Sequence, residues 1–137
     1  MRIVGRLVAL LLAFALVGAL NGCASATVEP SNPGETTLAI GERASVAGIS
    51  LELVAIEEDS RCPDDVVCIW AGNVKARAIV RIGTNDTAVT LNTGLAPYTV
   101  DVGVNRLRIV QVLPRRTNGA AIPRGDYRVT LRVDPIP

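Results

Sequence analysis

The stretch Tyr-Arg-Val-Thr-Leu-Arg-Val occupies residues 127–133 of a chain of 137 residues. Apolar and polar side chains alternate through it without interruption. Successive side chains of a β-strand point to opposite faces of a sheet, so this period of two predicts a strand with one buried and one exposed face. No window after residue 35 places its apolar residues at the spacing of a helix, which indicates a domain built from strands.

The same alternation recurs earlier in the chain, with short breaks between the runs. The clear runs cover residues 38–46, 49–55 and 74–82, and two weaker ones cover 87–92 and 98–104. Turn-forming residues lie between runs, at 83–86, 118–119 and 124–126. We therefore expect an all-β domain, a small immunoglobulin-like β-sandwich of about seven antiparallel strands, with a small β-barrel as the alternative.

Two segments of the chain resemble each other. Residues 51–56 read Leu-Glu-Leu-Val-Ala-Ile, and residues 107–112 read Leu-Arg-Ile-Val-Gln-Val. Each is followed by a long irregular loop, then by a glycine and another alternating run. A strand–loop–strand unit used twice would suit a sandwich of two sheets. Chance is the alternative, because few residue types fill β-strands.

The N-terminus has the features of a secretory signal peptide. Arg2 and Arg6 precede an uncharged apolar run over residues 7–20, which is too short to be a confident membrane span. The run ends in Leu20-Asn21-Gly22-Cys23, which resembles the lipobox of bacterial lipoproteins. That resemblance implies removal of residues 1–22, acylation of Cys23 and anchorage in the bacterial cell envelope. In a cell with two membranes, the anchor would lie in the outer membrane and face the periplasm.

The organisation expected from these features has three parts: a signal peptide at 1–22, a lipidated cysteine with a flexible tether at 23–35, and a β-sandwich domain at 36–137. Residues 24–35 are small and polar and are broken by two prolines, which is typical of a tether. The membrane is thus one expected partner, reached through the lipid.

The chain contains three cysteines and no histidine. If Cys23 carries lipid, Cys62 and Cys68 remain as an even pair in an oxidising compartment, which predicts a disulfide between them. Zinc prefers four thiolate or imidazole ligands, and a single cysteine pair does not supply them. We expect neither a structural metal nor a cofactor.

The cysteine pair lies in a distinctive stretch, residues 57–72, which we name the disulfide loop. Within it, Asp-Ser-Arg-Cys-Pro at 59–63, Cys68 and Trp-Ala-Gly at 70–72 resemble a motif of small, functionally uncharacterised bacterial lipoproteins. The resemblance implies a shared domain and carries no activity with it. The candidate binding residues of the loop are Asp59, Arg61, Asp64, Asp65 and Trp70.

Trp70 is the single tryptophan of a chain that is poor in aromatic residues. We therefore expect it to be a large core residue, with a ligand-stacking platform as the alternative. Three further apolar side chains are expected to pack the rear of the disulfide loop against the core: Val66, Val67 and Ile69.

Five carboxylates crowd the disulfide loop, at positions 57, 58, 59, 64 and 65. Carboxylates of a flexible loop can surround Ca²⁺, but the spacing does not match an EF-hand and Arg61 would compete for them. A solvated acidic loop in which Asp59 pairs with Arg61 or with turn amides is the preferred interpretation.

Charge is balanced overall and segregated locally. Fourteen basic residues, two of them in the leader, stand against thirteen acidic ones, which argues against nucleic-acid binding. Residues 105–132 contain seven arginines and one aspartate. Four of these arginines could form a basic stripe that meets an acidic envelope polymer, lipid headgroups or a protein: Arg106, Arg108, Arg128 and Arg132. The preferred interpretation is that arginine is simply the solvating residue of this chain, because interspersed surface charge needs no partner.

The usual parts of an active site are missing from the sequence. The chain has no histidine, so it lacks the most frequent general base and any Ser-His-Asp or Cys-His arrangement. Its densest group of carboxylates lies in one short loop, with no separate partner carboxylate recognisable. We expect a lipid-anchored, non-catalytic binding or structural module of the cell envelope. The alternatives are an inhibitory or partner-binding module acting through the disulfide loop, and a calcium-binding loop.

Replacement of Cys23 tests the anchor. Acyl chains contribute about 0.8 kcal/mol per buried methylene, so two or more of them hold a protein on a membrane stably. Cys23→Ser should release the protein from the membrane fraction or leave an unprocessed precursor. Mass spectrometry of the mature protein should show an acylated N-terminal cysteine, and an unmodified Cys23 would contradict the prediction.

Overall fold

A computed structural model of the chain describes residues 32–137, so the predictions for the signal peptide, Cys23 and most of the tether lie outside the described residues. Eight β-strands and a single turn of 3₁₀ helix at Arg124–Asp126 make up its regular structure. The strands are β1 (Glu35–Ala39), β2 (Arg43–Val46), β3 (Ile49–Asp59), β4 (Val74–Ile82), β5 (Asn85–Asn92), β6 (Val100–Val102), β7 (Asn105–Leu113) and β8 (Arg128–Pro135). Within these residues, no helix is long and apolar enough to cross a membrane.

The strands form two antiparallel sheets of four, in the orders β1-β8-β7-β6 and β2-β3-β4-β5. This confirms the prediction of a small antiparallel β-sandwich. Within residues 32–137, the sheet β2-β3-β4-β5 is a meander, and the other sheet is the meander β6-β7-β8 with β1 added at the edge beside β8. The described chain crosses between the sheets from β1 to β2 and from β5 to β6. The order therefore lacks the Greek-key exchange of strands that characterises immunoglobulin domains.

The core lies between the two sheets and is built from the inward positions of the alternating runs. β8 contributes Val129, Leu131 and Val133, the three valine and leucine side chains of the stretch that predicts the fold. The facing sheet contributes buried side chains from β3, β4 and β5. These are Ile49, Leu51, Leu53, Val74, Ala76, Ala78, Val80, Val89 and Leu91.

The two similar segments occupy equivalent places in the two sheets. Residues 51–56 lie in β3 and residues 107–112 in β7, and each strand carries a bulge at the same step of the similarity, at Val54 and at Val110. A bulge inserts one unpaired residue and reverses the facing of the residues after it. Consequently Ile56 packs against the core where simple alternation predicts Ala55, and Val112 is buried in the corresponding place in β7.

Long and short connections are segregated to opposite ends of the sandwich. The tight turns at 47–48, 83–84 and 103–104 share one end with the start of β1, because Glu35 pairs with Arg132 late in β8. We call this the turn end. The long connections 60–73 and 114–127 lie together at the other end, where the 93–99 connection also begins. We call this the loop end.

Candidate functional site

The loop end is formed where the disulfide loop meets the long connection between β7 and β8. The backbone N–H of Asp64 donates to the carbonyl of Arg116 at 2.9 Å. The backbone N–H of Asn118 donates to the Asp65 carboxylate at 2.7 Å. The acidic loop and the arginine-rich segment, which are separated by about fifty residues in sequence, therefore lie against each other.

A buried ion pair fixes the base of the disulfide loop. The Arg61 guanidinium grips the Asp59 carboxylate with two hydrogen bonds, Nε to Oδ1 at 2.8 Å and Nη2 to Oδ2 at 2.6 Å. Their side chains are 17% and 8% exposed. Tyr127 donates its hydroxyl to the same carboxylate at 3.0 Å. The predicted pairing of Asp59 with Arg61 is confirmed.

The same ion pair joins the two sheets. Asp59 ends β3 in one sheet, whereas Tyr127 immediately precedes β8 in the other. Arg61 also donates to the carbonyl of Val112 at 2.7 Å and to that of Pro114 at 3.1 Å. Charge-assisted hydrogen bonds of this kind are about twice as strong as neutral ones.

The environment of Asp59 favours its ionised form. Burial alone would raise the pKa of this carboxyl, but the hydrogen bonds from Arg61 and Tyr127 outweigh burial and hold its pKa below the ordinary value. Burial and the hydrogen bond to Asp59 raise the pKa of the Tyr127 hydroxyl, which keeps it a proton donor. The pair is therefore charged, and the phenol neutral, at neutral pH.

Cys62 and Cys68 form a disulfide with an S–S distance of 2.10 Å, which confirms the predicted bond. It closes a small ring that contains Asp64, Asp65 and Val67. The backbone N–H of Cys62 also donates to the carbonyl of Ala71 at 2.9 Å. The loop is thus closed twice, once covalently and once through its backbone.

The end of the disulfide loop depends on a glycine. Gly72 has a φ of +75°, a conformation that L side chains rarely adopt, and a Cβ there would lie 1.9 Å from the carbonyl oxygen of Ser60. The next residue, Asn73, is buried; its side chain donates to the Asn92 side-chain oxygen at 3.0 Å and accepts from the N–H groups of Thr93 and Gly94. Asn73 thereby ties the disulfide loop to the 93–99 connection.

The expectation that Trp70 is a core residue is wrong. Its side chain is 83% exposed, and Val67 and Ile69, expected to pack beneath the loop, are fully exposed. Val66 is partly exposed, at 38%. The physical reason is the double closure at the base of the loop, because a short segment closed at both ends projects outward instead of folding back on the core. The place expected for Trp70 beneath this end is taken by Tyr127, which is buried.

The five carboxylates of the disulfide loop turn to different partners. Asp59 binds Arg61, Asp64 lies 3.5 Å from Arg115, and Asp65 accepts from the backbone of Asn118. Glu57 pairs with Lys75 and Arg77, and Glu58 accepts from the Ser60 hydroxyl. Across residues 32–137, no three histidine, cysteine, aspartate or glutamate side chains converge to hold a metal ion.

The arginines of the predicted basic stripe are largely engaged with neighbours in their own sheet. Arg106 makes two hydrogen bonds to Asp101, and Arg108 lies 3.7 Å from Asp134. Arg132 pairs with Glu35 and Asp134, and Arg128 donates to backbone carbonyls. Exposed pairs of this type contribute little to stability, but they offset the charges of Arg106, Arg108 and Arg132 and leave that of Arg128 without a carboxylate partner among the described residues.

Asp59, Arg61 and the two cysteines lie together at the base of the loop. Three further residues complete the site, and the sequence indicated a role there for none of them: Tyr127, Arg116 and Asn73. Tyr127 is expected from the sequence as an inward strand residue, and its hydroxyl bond to Asp59 has no sequence signal. Arg116 donates to the carbonyl of Asp59 at 2.9 Å, and Asn73 latches the neighbouring connection. An asparagine directly after a glycine is the one available hint.

Comparison of the chain with protein-family profiles, with curated proteins and with solved structures gives no match.

Replacement of Asp59 by asparagine should destabilise the domain in a pH-dependent way. Loss of the charge weakens a buried ion pair, which costs about 2–4 kcal/mol at neutral pH. The folded-state pKa of Asp59 is depressed, so its contribution is complete above the unfolded value of about 3.9 and is lost as pH falls through the folded value. Urea unfolding from pH 7 downward should show the gap between wild type and Asp59→Asn closing only in acid. Asp86→Asn, at an exposed pair with Arg81, is the control and should change little. A gap that is absent at pH 7, or constant with pH, would contradict this role.

Truncation of Trp70 should leave stability nearly unchanged. An exposed side chain away from the core usually alters the free energy of unfolding by less than about 0.5 kcal/mol. Trp70→Ala should therefore have the same melting temperature as the wild type when unfolding is followed by circular dichroism. Since Trp70 is the only tryptophan, native fluorescence should resemble that of tryptophan in water and be quenched by iodide. A blue-shifted, unquenched emission would show that the side chain is covered.

Proposed function

We propose that the protein is a lipid-anchored, non-catalytic binding module of the bacterial cell envelope that presents the disulfide loop to a protein partner. Lipidation at Cys23 is carried by the lipobox-like sequence. The single observation that carries the binding role is the outward display of Val67, Ile69 and Trp70 on a loop that is closed by a disulfide and fixed by the Asp59–Arg61 pair.

The direction of display supports this role. The chain enters the sandwich at Glu35, which lies at the turn end, whereas the disulfide loop lies at the loop end. A tether over residues 24–34 spans at most about 36–40 Å when fully extended. Anchorage through Cys23 would thus attach the domain at its turn end, and the disulfide loop lies at the opposite end of the sandwich.

The composition and rigidity of the displayed patch fit a protein partner. Tryptophan is among the residues that dominate binding energy at protein interfaces, where it fills pockets on the partner. Side chains held in place before binding lose less entropy on association, so a pre-ordered loop binds more tightly than a flexible one. The diverging carboxylates of the loop give no support to a calcium site.

Site-specific crosslinking tests the proposal. The full chain is produced in the bacterium from which it comes, with a photo-crosslinking amino acid at position 67, within the displayed patch. We expect a discrete crosslinked species that is lost when Ile69 is replaced by aspartate, because a charge in an apolar interface must be desolvated. Ile69→Asp should keep the melting temperature, since Ile69 makes no core contact.

A crosslinking residue at position 104 is the matched control. Val104 is also an exposed apolar residue, 73% accessible, and it lies in a turn at the turn end. The proposal predicts no discrete species from this position. Equal crosslinking from both positions, or none from position 67, would contradict a partner-binding loop and favour a passive structural role.

A further inference from the structure

Behind Trp70 lies a groove between the disulfide loop and the 93–99 connection. Its volume is about 410 Å³, within the range of small ligand sites, and Trp70 and Leu95 form its walls. Leu95 is 56% exposed. The groove is therefore an accessible concave surface directly beside the convex patch of Val67 and Ile69.

Two glycines form the floor of the groove and explain why it exists. Gly72 and Gly94 bring the two loops together so closely that a Cβ on Gly94 would lie 2.0 Å from the carbonyl oxygen of Gly72. The two backbones pack directly against each other at these glycines, and neither glycine has a side chain to fill the space between Trp70 and Leu95. The Asn73 latch holds this crossing in place through its bond to the Gly94 N–H at 2.9 Å.

The polar side chains that line the groove are already engaged. The Ser60 hydroxyl donates to Glu58 at 3.0 Å and accepts from the Asn73 N–H at 3.1 Å. The Asn73 amide is buried and bonded to Asn92, Thr93 and Gly94. Among the described residues 32–137, no ionisable side chain lines the groove. A sugar or a charged ligand would lose hydrogen bonds to water without replacing them at these side chains, whereas an apolar group loses none.

We propose that this groove receives an uncharged apolar segment of the partner polypeptide, with one or two aliphatic or aromatic side chains between Trp70 and Leu95. The inference rests on the proposed function and specifies the chemistry of the partner. The convex patch and the concave groove then form one continuous apolar surface, into which the partner inserts a side chain as it covers Ile69. A bilayer surface would use the convex patch alone and leave the groove without a role.

The single tryptophan makes the groove directly observable. The full chain, reconstituted in phosphatidylcholine vesicles, is titrated with three neutral probes: a capped tetrapeptide with a central Leu-Phe pair, the same peptide with Ser-Asn, and N-acetylglucosamine. We expect the Leu-Phe peptide alone to shift Trp70 emission to shorter wavelength and to shield it from iodide. Leu95→Asp should weaken that peptide about tenfold, which corresponds to about 1.4 kcal/mol. Val104→Asp at the turn end should bind it as the wild type does, and thermal melts should show both variants folded.

Other outcomes overturn the inference. Shielding of Trp70 before any probe is added would assign the patch to the bilayer, and equal shielding by the Ser-Asn peptide or by the sugar would assign the groove to polar ligands. No shielding by any probe, together with intact crosslinking from position 67, would rule out the groove as a binding site and leave the proposed partner-binding role standing. Loss of crosslinking with a responsive groove would instead remove the proposed function and leave an apolar peptide site.

Discussion

The bidentate contact between Asp59 and Arg61 is the constraint on which the loop end depends. It sits where β3 leaves one sheet, and through Tyr127 and the carbonyls of Val112 and Pro114 it reaches the other sheet. Both side chains are largely shielded from water, so each charge is stabilised by the other, and removal of either leaves a poorly solvated charge without its partner. The bonds from Asp64 to Arg116 and from Asn118 to Asp65 also join the loops of the two sheets, but they lie at more exposed residues, which makes the Asp59–Arg61 pair the natural fixed point of the loop end.

Once this base is fixed, the form of the disulfide loop is largely determined. The Cys62–Cys68 bond and the Cys62–Ala71 hydrogen bond close the segment above the ion pair, and Gly72 returns the chain beside Ser60. A segment closed at both of these points is too short to fold back over the core. Its apolar residues Val67, Ile69 and Trp70 therefore point into solvent, in an arrangement that hydrophobic burial alone would not select.

The sequence carries enough information for the sandwich and for the disulfide, but not for the surface of the site. Alternation in residues 127–133 and in β3 and β4 encodes one buried face per strand, which is a local property and therefore readable. The bulge at Val54, which brings Ile56 to the core, is decided by pairing with β4 and has no local signature. The exposure of Trp70 also has no local signature in the sequence. Scarcity of aromatic residues argues for burial on average, whereas its actual exposure is set by Gly72, Ser60 and a ring closure that lie elsewhere in the loop.

Charge and apolar surface are sorted at the loop end in a way that bears on recognition. Asp59 pairs with Arg61 of its own loop, Asp64 lies against Arg115 and Asp65 accepts from the backbone of Asn118. Three of the four arginines of the predicted stripe pair with carboxylates of their own sheet. The side chains left for a partner on the displayed loop are apolar: Val67, Ile69 and Trp70. Electrostatic attraction between partners weakens with salt, while apolar contact between pre-ordered surfaces does not. Under the proposed function, the domain would therefore select its partner by shape and by burial of apolar area, and the Asp59–Arg61 pair would hold the displayed loop in position.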